Sequence, residues 1–486
     1  MKYRNSLLSL AIVSALAVGS NAFAAQPGAD SGADADAVLA AKAAAVARAQ
    51  ALVDGPARKL VHRASADGFT AEVTAVQIDD DGTEHVRFQR TYKGDLPVIG
   101  GDFVLHSRNG KVLDASQTLP TSKRPSTKAA YSSNKAIAKA IAEFGMAYSE
   151  APDSRLVLYA LSGTPRLAHE VVLRGTRADQ TPTEMHYFVD AKNGKLLDRW
   201  DEVQTARPGR DGGGCASPVA ADGTGHSLTQ GTVDIATVKC AKGYQMMDLT
   251  RGGGYTTNMA MRQAGMGSIF TDADNTWGNG GLTSSATVAV DAHFGVSATW
   301  DYYKDVHGRL GIADNGVGAV SRVHFGRNYP NAFWRDSCFC MTFGDGDNGV
   351  SILPLVALDI AGHEMSHGVT SRTAGLVYSG ESGGLNEATS DIFGTMVEYY
   401  ANNSNDPGDY VIGEELFPNN AAMSNAIRWM FKPSLDGASP DCYSSGIGGI
   451  DVHYSSGVAN HFYYLLAEGA VVPAGFGSGT WANLTA

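Results

Sequence analysis

Residues 205–214 interrupt every periodic pattern in this 486-residue chain and decide how the rest can fold. The stretch reads Thr-Ala-Arg-Pro-Gly-Arg-Asp-Gly-Gly-Gly, and such a mixture of proline, glycine and charge is typical of an exposed linker. All five cysteines lie beyond it. The chain therefore divides into two parts, and each is long enough to bury a core of its own.

The first 24 residues have the pattern of a removable export signal. Lys2 and Arg4 precede an apolar stretch from Leu7 to Val18, and Ala22-Phe23-Ala24 has the form of a signal-peptidase site. This stretch is too short for a stable membrane anchor, and no later segment is long enough to span a bilayer. We therefore expect a signal peptide at 1–24 and a secreted, extracellular protein. An uncleaved interfacial anchor is the alternative.

Residues 25–205 alternate between strand and helix patterns. A tether rich in Ala and Asp, at about 25–50, leads into alternating strands at 70–114, a helix at 131–150 and a second strand meander at 156–190. Asn193-Gly194, between two apolar runs, is a strong hairpin signal. The pattern predicts two α+β modules, at about 50–120 and about 130–205.

The second part changes character near residue 353. Residues 206–352 contain short strands and Gly-rich turns around one predicted helix, Val290–Arg309. Residues 353–486 contain helical patterns at Leu355–Val369, Asn386–Ala401 and Gly457–Gly469. A β-rich lobe followed by an α-helical lobe is α+β in class.

Charge and cysteine content exclude several kinds of protein. The net charge of −12 and the absence of a basic run argue against a nucleic-acid partner. Cys338 and Cys340 are separated by one residue, so they form no CxxC redox motif, and no paired CxxC spacing offers a cysteine zinc site. With five cysteines, one thiol is free or its partner lies outside this chain. Export makes disulfides possible for the others.

The strongest chemical signal is His363-Glu364-Met365-Ser366-His367 in a predicted helix. Residues four apart lie on one face of a helix, so both imidazoles can reach a single ion. Glu364 falls beside them, where it can act on water rather than on the metal. A catalytic zinc needs a third protein ligand and one open position. The five-residue pattern alone also fits surface residues of an amphipathic helix.

Further carboxylates favour the zinc interpretation. Glu387, twenty positions after His367, and Asp391 lie four apart on the next predicted helix. One of them can bind the ion while the other holds a ligand imidazole through its second nitrogen. Asp359 lies one helical turn before His363. We therefore predict His363 and His367 as zinc ligands, with either Glu387 or Asp391 as the third.

These motifs resemble the thermolysin-like (M4) family of secreted zinc metalloendopeptidases. The resemblance covers nearly the whole chain after the signal, and residues 84–106 and 156–200 resemble the family's prosegment, as an FTP-like and a PepSY-like module. In the second part it is carried by Asp291-Ala292-His293-Phe294, Asn331-Ala332-Phe333-Trp334, Thr373-Ala374-Gly375-Leu376-Val377-Tyr378 and Gly384-Leu385-Asn386-Glu387. The Asn-Glu-x-x-Ser-Asp form separates the chain from zinc aminopeptidases.

The resemblance implies a role for each matching residue. His363, His367 and Glu387 are the zinc ligands, and Asp391 lies behind them and holds a ligand imidazole. Glu364 is the general base for the attacking water, and Tyr378 and His453 stabilise the oxyanion. Asn331 and Ala332 hold the substrate backbone, and Arg428 holds a substrate carbonyl. Asp451 orients His453; because Gly448 stands where thermolysin has a carboxylate, the chain is closer in style to vibriolysin and pseudolysin. As single residues, Tyr378 could equally be a packing tyrosine and Arg428 a solvated helix residue.

Calcium and substrate preference are also implied by the resemblance. The predicted structural calcium ligands are Asp359, Glu398, Asp409 and Glu414, with surface carboxylates near a loop as the alternative. Asp272 and Asp274 fit a second calcium site or an ordinary Asx turn equally well. Four apolar residues would line the pocket after the scissile bond and select bulky hydrophobic residues there: Leu355, Ile360, Ile412 and Ile427.

The resemblance further implies an inactive precursor in which residues 25–205 act as chaperone and inhibitor until cleavage within about 205–212. Family members continue beyond the position of Ala486, so we expect a helical lobe that is incomplete at its C-terminus, with the partner of Cys442 in the missing part. A secreted binding or inhibitory protein with a non-catalytic remnant is the alternative. The intact set of ligands and general base argues against it.

Overall fold

A computed structural model describes residues 31–61, 68–79, 81–117, 119, 125–161, 164–177, 182–201, 215, 217–420, 423–473 and 476. The predicted signal peptide and the predicted linker at 205–214 lie outside these residues. Among the described helices, none is both long enough and apolar enough to cross a membrane. The chain forms two compact units. One comprises the described residues up to Ala140 together with 153–171 and 187–198, and the other comprises 141–152, 172–186 and the described residues from 199 onward.

The first part of the chain is α+β. Its helices are α1 (Ser31–Asp54), α2 (Arg58–Val61) and α3 (Ser133–Phe144). Its strands are β1 (Phe69–Ile78), β2 (Thr83–Tyr92), β3 (Leu96–Ile99), β4 (Phe103–Arg108), β5 (Lys111–Gln117), β6 (Asp153–Tyr159), β7 (Arg166–Thr176), β8 (Pro182–Asp190) and β9 (Leu196–Asp201). The sheet order is β5-β4-β2-β3-β6-β7-β8-β9, with β1 paired to β2.

In the first unit, α1 covers one face of the β-sheet. Ala49 and Val53 of α1 pack against Phe88 of β2 and Phe103 of β4, whose rings stack 4.9 Å apart. Buried and more exposed side chains alternate along β2, because successive side chains of a strand point to opposite faces of the sheet. The side chains that point inward include Val86, Phe88 and Tyr92.

The second part of the chain contains the β-rich and α-helical lobes. Its strands are β10 (Val219–His226), β11 (Thr232–Cys240), β12 (Gly243–Gln245), β13 (Met247–Asp248), β14 (Gly254–Asn258), β15 (Ser268–Ile269), β16 (Thr271–Asp272), β17 (Thr276–Gly278), β18 (Val320–Phe325), β19 (Ala332–Arg335), β20 (Cys340–Gly344), β21 (Val411–Ile412) and β22 (Arg428–Trp429). Its helices are α4 (Ser285–His307), α5 (Leu358–Arg372), α6 (Gly380–Ala401), α7 (Val452–Ser455) and α8 (Gly457–Glu468).

Two sheets position the functional residues of the second unit. One has the order β16-β12-β11-β10-β17, and the other has the order β13-β14-β18-β20-β19 with β15 paired to β14. Strand β19 is the outer strand of the second sheet, and Ala332 pairs with Phe343 on its inner side. Its other edge has no strand partner among the described residues. An unpaired strand edge can bind an extended peptide by adding one more strand.

All the predicted helices form, although their bounds differ. Helix α3 is shorter than the predicted 131–150 because it ends at Phe144, before Gly145, whose φ is +68°. Helix α4 begins five residues before the predicted Val290, and α5 begins at Leu358 rather than Leu355. Helix α6 begins at Gly380, six residues before the predicted Asn386, because its first turns are rich in glycine and give a weak helical signal.

Disulfides join Cys215 to Cys240 and Cys338 to Cys340. Cys442 is exposed and lies outside both, in agreement with the odd number of cysteines. Asp272 and Asp274 form Asx turns: Asp272 Oδ1 accepts the N–H groups of Asp274 and Asn275 at 2.8 and 2.7 Å, and Asp274 Oδ1 accepts the N–H of Thr276 at 2.9 Å.

Candidate active site

Helices α5 and α6 cross in close contact, and glycines make this contact possible. A Cβ added at Gly362 would lie 2.9 Å from the Cα of Gly394, and one added at Gly394 would lie 2.5 Å from the carbonyl oxygen of Asp359. Any larger residue would push the backbones apart. The crossing brings one face of α5, with His363 and His367, against the face of α6 that carries Glu387 and Asp391.

Three side chains converge at this crossing. The Nε2 atoms of His363 and His367 are 2.9 Å apart. Glu387 places Oε2 3.5 Å from Nε2 of His363 and Oε1 3.4 Å from Nε2 of His367. Ligand atoms of one tetrahedral zinc, each about 2.0–2.1 Å from the metal, lie roughly 3.3 Å from one another. The three buried donors therefore match the spacing of a zinc site.

The hydrogen bonds behind the imidazoles show why a cation belongs there. His363 Nδ1 lies 2.8 Å from Asp391 Oδ1, and His367 Nδ1 lies 2.7 Å from Asn386 Oδ1. Both oxygens are acceptors, so each Nδ1 carries the proton and each Nε2 presents a lone pair. Two lone pairs facing each other at 2.9 Å, beside a buried carboxylate, repel unless a metal ion lies between them. The donor set fits zinc.

Glu364 is a further buried carboxyl group in this region, and it is not one of the three donors. Its side chain is buried, and its Oε2 has no hydrogen-bond partner. Burial raises the pKa of Glu364, while the imidazoles of His363 and His367 and the backbone N–H of Trp334 in β19 oppose that rise. A carboxylate whose pKa is raised accepts a proton more readily at neutral pH.

Tyr378 and His453 lie beside Glu387. The Tyr378 hydroxyl donates to Glu387 Oε1 and lies 3.1 Å from His453 Nε2. Asp451, the N-cap of α7, accepts both the backbone N–H of His453, at 3.0 Å, and its Nδ1, at 2.7 Å. The carboxylates of Glu387 and Asp451 raise the pKa of His453. The ring therefore has Nδ1 held by Asp451 and Nε2 beside the Tyr378 hydroxyl.

Arg428 is buried in an ion pair rather than solvated. Its Nε and Nη2 bind the two carboxylate oxygens of Asp391 at 2.7 and 2.6 Å, and Asn460 of α8 donates to the same carboxylate at 2.7 Å. Burial alone would raise the pKa of Asp391, but Arg428 and His363 lower it to about 2. Asp391 is therefore ionised and holds His363 at every working pH.

The predicted substrate-contacting residues lie around β19 and the start of α5. Asn331 is exposed immediately before β19, and Ala332 is its first residue. Leu355, Ile360 and Ile412 are buried. Ile427 is partly exposed, and it packs over Gly413, where an added Cβ would lie 2.9 Å from Ile427 Cδ1.

A second group of carboxylates lies at the other end of the same helices. Glu398, Asp406, Glu414 and Glu415 each place an oxygen within 4.8 Å of the others. Glu398 and Glu414 belong to the predicted calcium set, whereas the other two were not predicted. Asp359 and Asp409 lie beside this cluster and both act on Glu398. Each of them also accepts a backbone N–H, from Gly413 and Val411 respectively.

Burial and neighbouring carboxyl groups dominate the electrostatics of the second cluster. Burial and mutual repulsion raise the pKa of Glu398 and Glu414 well above its usual value. Burial raises the pKa of Asp359 and Asp409 to about 7 and that of Glu415 to about 9. Several buried oxygens have no hydrogen-bond partner: Glu398 Oε1 and Oε2, Asp406 Oδ1, Asp409 Oδ2, Glu414 Oε2 and Glu415 Oε2. Oxygens in this state have the chemistry that a hard cation prefers in its ligands.

Four residues at these two sites were missed in the sequence. Asn386 immediately precedes Glu387, and its place in the Asn-Glu-x-x-Ser-Asp motif was the signal that could have identified it. Asp406 and Glu415 lie in loops without periodicity. Asn460 lies 69 residues from Asp391, and no local pattern links the two.

A two-lobe α+β fold with two histidines and a glutamate around one point, and a buried carboxylate beside them, defines a metallopeptidase. Three family models match the chain: "Thermolysin metallopeptidase, catalytic domain" at residues 222–371, "Thermolysin metallopeptidase, alpha-helical domain" at 374–484 and "Fungalysin/Thermolysin Propeptide Motif" at 70–119. The chain belongs to the thermolysin family of metallopeptidases, and its predicted α+β class is confirmed.

Two relatives in sequence agree with this assignment. The transglutaminase-activating metalloprotease of Streptomyces mobaraensis is 50% identical over 81% of this chain, which spans 49% of that relative's length. Thermolysin of Alicyclobacillus acidocaldarius subsp. acidocaldarius is 38% identical over 81% of this chain and 72% of its own. The precursor of protealysin from Serratia proteamaculans is 31% identical over 44% of this chain and 67% of its own, with a TM-score of 0.36.

Proposed function

We propose that this chain is the precursor of a secreted zinc endopeptidase that hydrolyses peptide bonds on the amino side of bulky hydrophobic residues. Family membership supports a zinc-dependent peptidase made with a propeptide. The observation that carries the proposal for this chain is the convergence of His363, His367 and Glu387, with both Nε2 lone pairs directed at one point.

The three donors would hold zinc, which supplies a Lewis acid for the substrate carbonyl and for the attacking water. Glu364 takes the proton of that water. Its carboxylate is buried and lacks a partner at Oε2, and its raised pKa favours acceptance. The same carboxyl group then acts as general acid and passes the proton to the leaving amine.

Tyr378 and His453 would stabilise the negative charge that develops on the carbonyl oxygen. The hydroxyl and the imidazole are 3.1 Å apart, so both can donate to one oxygen. Asp451 fixes the ring of His453 through Nδ1. Arg428, held by Asp391, is proposed to reach a substrate carbonyl from the floor of the site.

The free edge of β19 offers a place for an extended substrate. Asn331 and Ala332 would hold its backbone, and Trp334 in the same strand already donates an N–H to Glu364. Leu355, Ile360, Ile412 and Ile427 would form the pocket for the side chain after the scissile bond. The pocket should discriminate only modestly between apolar side chains of the substrate, because one methylene group changes the binding free energy by about 1–3 kcal/mol.

The acidic cluster is proposed to be a structural calcium site. Four buried and two half-buried carboxyl groups at or beside it, all with raised pKa values, support a divalent cation with oxygen ligands. The proposed core ligands are Glu398, Asp406, Glu414 and Glu415, with Asp359 and Asp409 next to them. Calcium would allow all of them to ionise at neutral pH.

The proposed organisation is a signal peptide at 1–24, a prosegment at 25–205 that keeps the precursor inactive, a β-rich lobe at 206–352 and a helical lobe at 353–486. Residues 141–152 and 172–186 belong to the same compact unit as the lobes. In that unit, burial lowers the pKa of Arg335 at the end of β19, and the carboxylates of Glu184 and Glu150 oppose this. This proximity supports an inhibitory role for the prosegment.

The test is cleavage of an internally quenched peptide with Leu after the scissile bond, by secreted and processed protein. We expect activity in wild type, and loss of it both with a zinc chelator and in Glu364→Gln. The zinc content of Glu364→Gln should stay near that of wild type, because Glu364 is not a ligand. Folded, zinc-loaded, prosegment-free wild type without activity would contradict the proposal.

A further inference from the structure

A cavity of about 490 Å³ lies in the β-rich lobe, and none of its lining residues belongs to the proposed zinc site. Its volume is that of a binding pocket for a small ligand or for one or two amino-acid residues. Met261, Leu282, Val288 and Pro354 contribute an apolar surface, and His324 and Asp345 contribute a polar one.

The apolar wall of this cavity is open to solvent. Met261 is 43% exposed and Leu282 is 41% exposed, while Val288 and Pro354 are buried behind them. The polar groups of the other wall already have partners within the protein. His324 Nδ1 lies 2.8 Å from Asp345 Oδ1, and its Nε2 lies 3.0 Å from the carbonyl oxygen of Ser285. The cavity therefore offers apolar contact to a ligand and does not demand a charged one.

Four non-glycine residues that line the cavity have left-handed backbone conformations. Their φ angles are +48° at Ala260, +60° at Met261, +58° at His324 and +61° at Asn348. Such conformations are uncommon outside glycine, and in proteins they cluster at binding and catalytic sites. The shape of the cavity is thus held by the backbone on three separate segments.

The cavity lies close to residues that are proposed to hold the substrate. Pro354 directly precedes Leu355, a residue of the proposed pocket after the scissile bond. Gly344 connects both regions, because its N–H donates to the carbonyl of Asn331 and its carbonyl accepts the N–H of Leu355, each at 3.0 Å. Asp345 follows it and forms part of the cavity wall. Two walls of the cavity, at Pro354 and Asp345, are therefore joined through the backbone to residues of the proposed cleft.

We propose that this cavity is a distal subsite, which binds a large apolar or aromatic side chain of the substrate several residues after the scissile bond. The inference rests on the proposed function, since it assigns a further contact to the same peptide. Met261 and Leu282 would pack against that side chain, and the charge-neutral His324–Asp345 pair would face its polar edge. The subsite would act only on substrates long enough to reach it.

The experiment compares processed wild type, Leu282→Ala and Leu249→Ala on quenched peptides. Leu249 is a matched control, because it is also a leucine that is 41% exposed and it does not line the cavity. One peptide ends two residues after the scissile bond. The longer peptides carry either Phe or Ala at the third, fourth or fifth position after that bond.

We expect wild type and Leu249→Ala to prefer Phe over Ala by roughly fivefold in kcat/KM at one of these positions, as one apolar contact allows. Leu282→Ala should reduce that preference to less than about twofold and leave the short peptide unaffected. Wild type without a preference at any position, or equal preferences in the two variants, would overturn the subsite. Failure to cleave even the short peptide would instead refute the proposed endopeptidase.

Discussion

Helices α5 and α6 carry buried carboxylates at two sites, and the sites differ in what balances their charge. Beside the proposed zinc ligands, His363 and Arg428 lower the pKa of Asp391 to about 2, although burial opposes this. At the acidic cluster, burial and neighbouring carboxylates raise the pKa of Glu398 well above its usual value. At the first site the protein's own cations balance the charge of the carboxylate, whereas at the second we propose that a calcium ion does so.

The comparison shows that burial alone does not determine the charge of a carboxyl group. Asp391 and Glu398 are both fully buried on one helix, seven residues apart. The difference comes from Arg428, which forms two hydrogen bonds with Asp391, while the largest influences on Glu398 are burial and four other carboxyl groups. The two sites should therefore respond in opposite ways to the loss of one charge.

The largest effect is expected for Glu387→Gln, which removes a charge from the proposed zinc site. The amide keeps the shape of the side chain but weakens the attraction for the metal, so zinc content and kcat/KM should fall together. The loss should exceed the roughly 10–100-fold that removal of a ligand's hydrogen-bond partner causes. Zinc analysis and peptide cleavage measure it. Glu381→Gln, an exposed site on the same helix, is the control and should retain both.

Arg428→Met tests whether the protein's own cation balances Asp391. The change leaves a buried carboxylate without its partner, so the free energy of unfolding should fall by about 3–5 kcal/mol. Zinc affinity should fall about 10–100-fold, because Asp391 then orients His363 less well. Arg372→Met, which breaks a partly exposed pair with Asp336, should cost less than about 1 kcal/mol. Equal losses in urea unfolding of the two variants would contradict the comparison.

Calcium removal should make the acidic cluster dependent on pH. A carboxyl whose folded pKa lies above its unfolded value destabilises the folded state as pH rises between the two values. For Asp359 and Asp409 this window runs from about pH 4 to about pH 7, so calcium-free protein should unfold more easily at pH 8 than at pH 5. Calcium at a hundred times its dissociation constant should raise the free energy of unfolding at pH 8 by about 2.7 kcal/mol.

Glu398→Gln sharpens that test. Removing one of the repelling carboxylates should raise the melting temperature of calcium-free protein at pH 8 and reduce the response to calcium. Zinc is kept saturating in each sample, so that only the acidic cluster changes. Glu381→Gln should keep the calcium response of wild type. If the calcium-free variant were less stable than calcium-free wild type at pH 8, repulsion between the carboxylates would not be what destabilises the calcium-free protein.

The smallest effect is expected for Asp451→Asn, at the exposed edge of the zinc site. Glu387 and Asp451 both raise the pKa of His453, so loss of one should lower that pKa. If the protonated ring stabilises the oxyanion, activity is present below this pKa and is lost above it. The high-pH limb of kcat/KM should therefore move to lower pH by less than about one unit. Asp441→Asn should leave the limb unchanged.

The sequence predicted the elements that depend on local spacing. His363 and His367 are four residues apart, and so are Glu387 and Asp391; a single turn of helix then decides which side chains face together. The four missed residues depend on contacts that spacing does not describe. Asn460 reaches Asp391 from another helix, and Asp406 and Glu415 enter the acidic cluster from loops, where no period constrains the side chains.

The glycine pair at the crossing of α5 and α6 limits how the family site can change. Side chains in a core can be exchanged for others of similar volume, and neighbours shift to fill the space. Gly362 and Gly394 have no such freedom, because backbone meets backbone there. Substitutions that adapt the protein to heat or cold must therefore fall on other surfaces of these helices. The two glycines, each with only a hydrogen atom as its side chain, keep the proposed metal donors at their spacing.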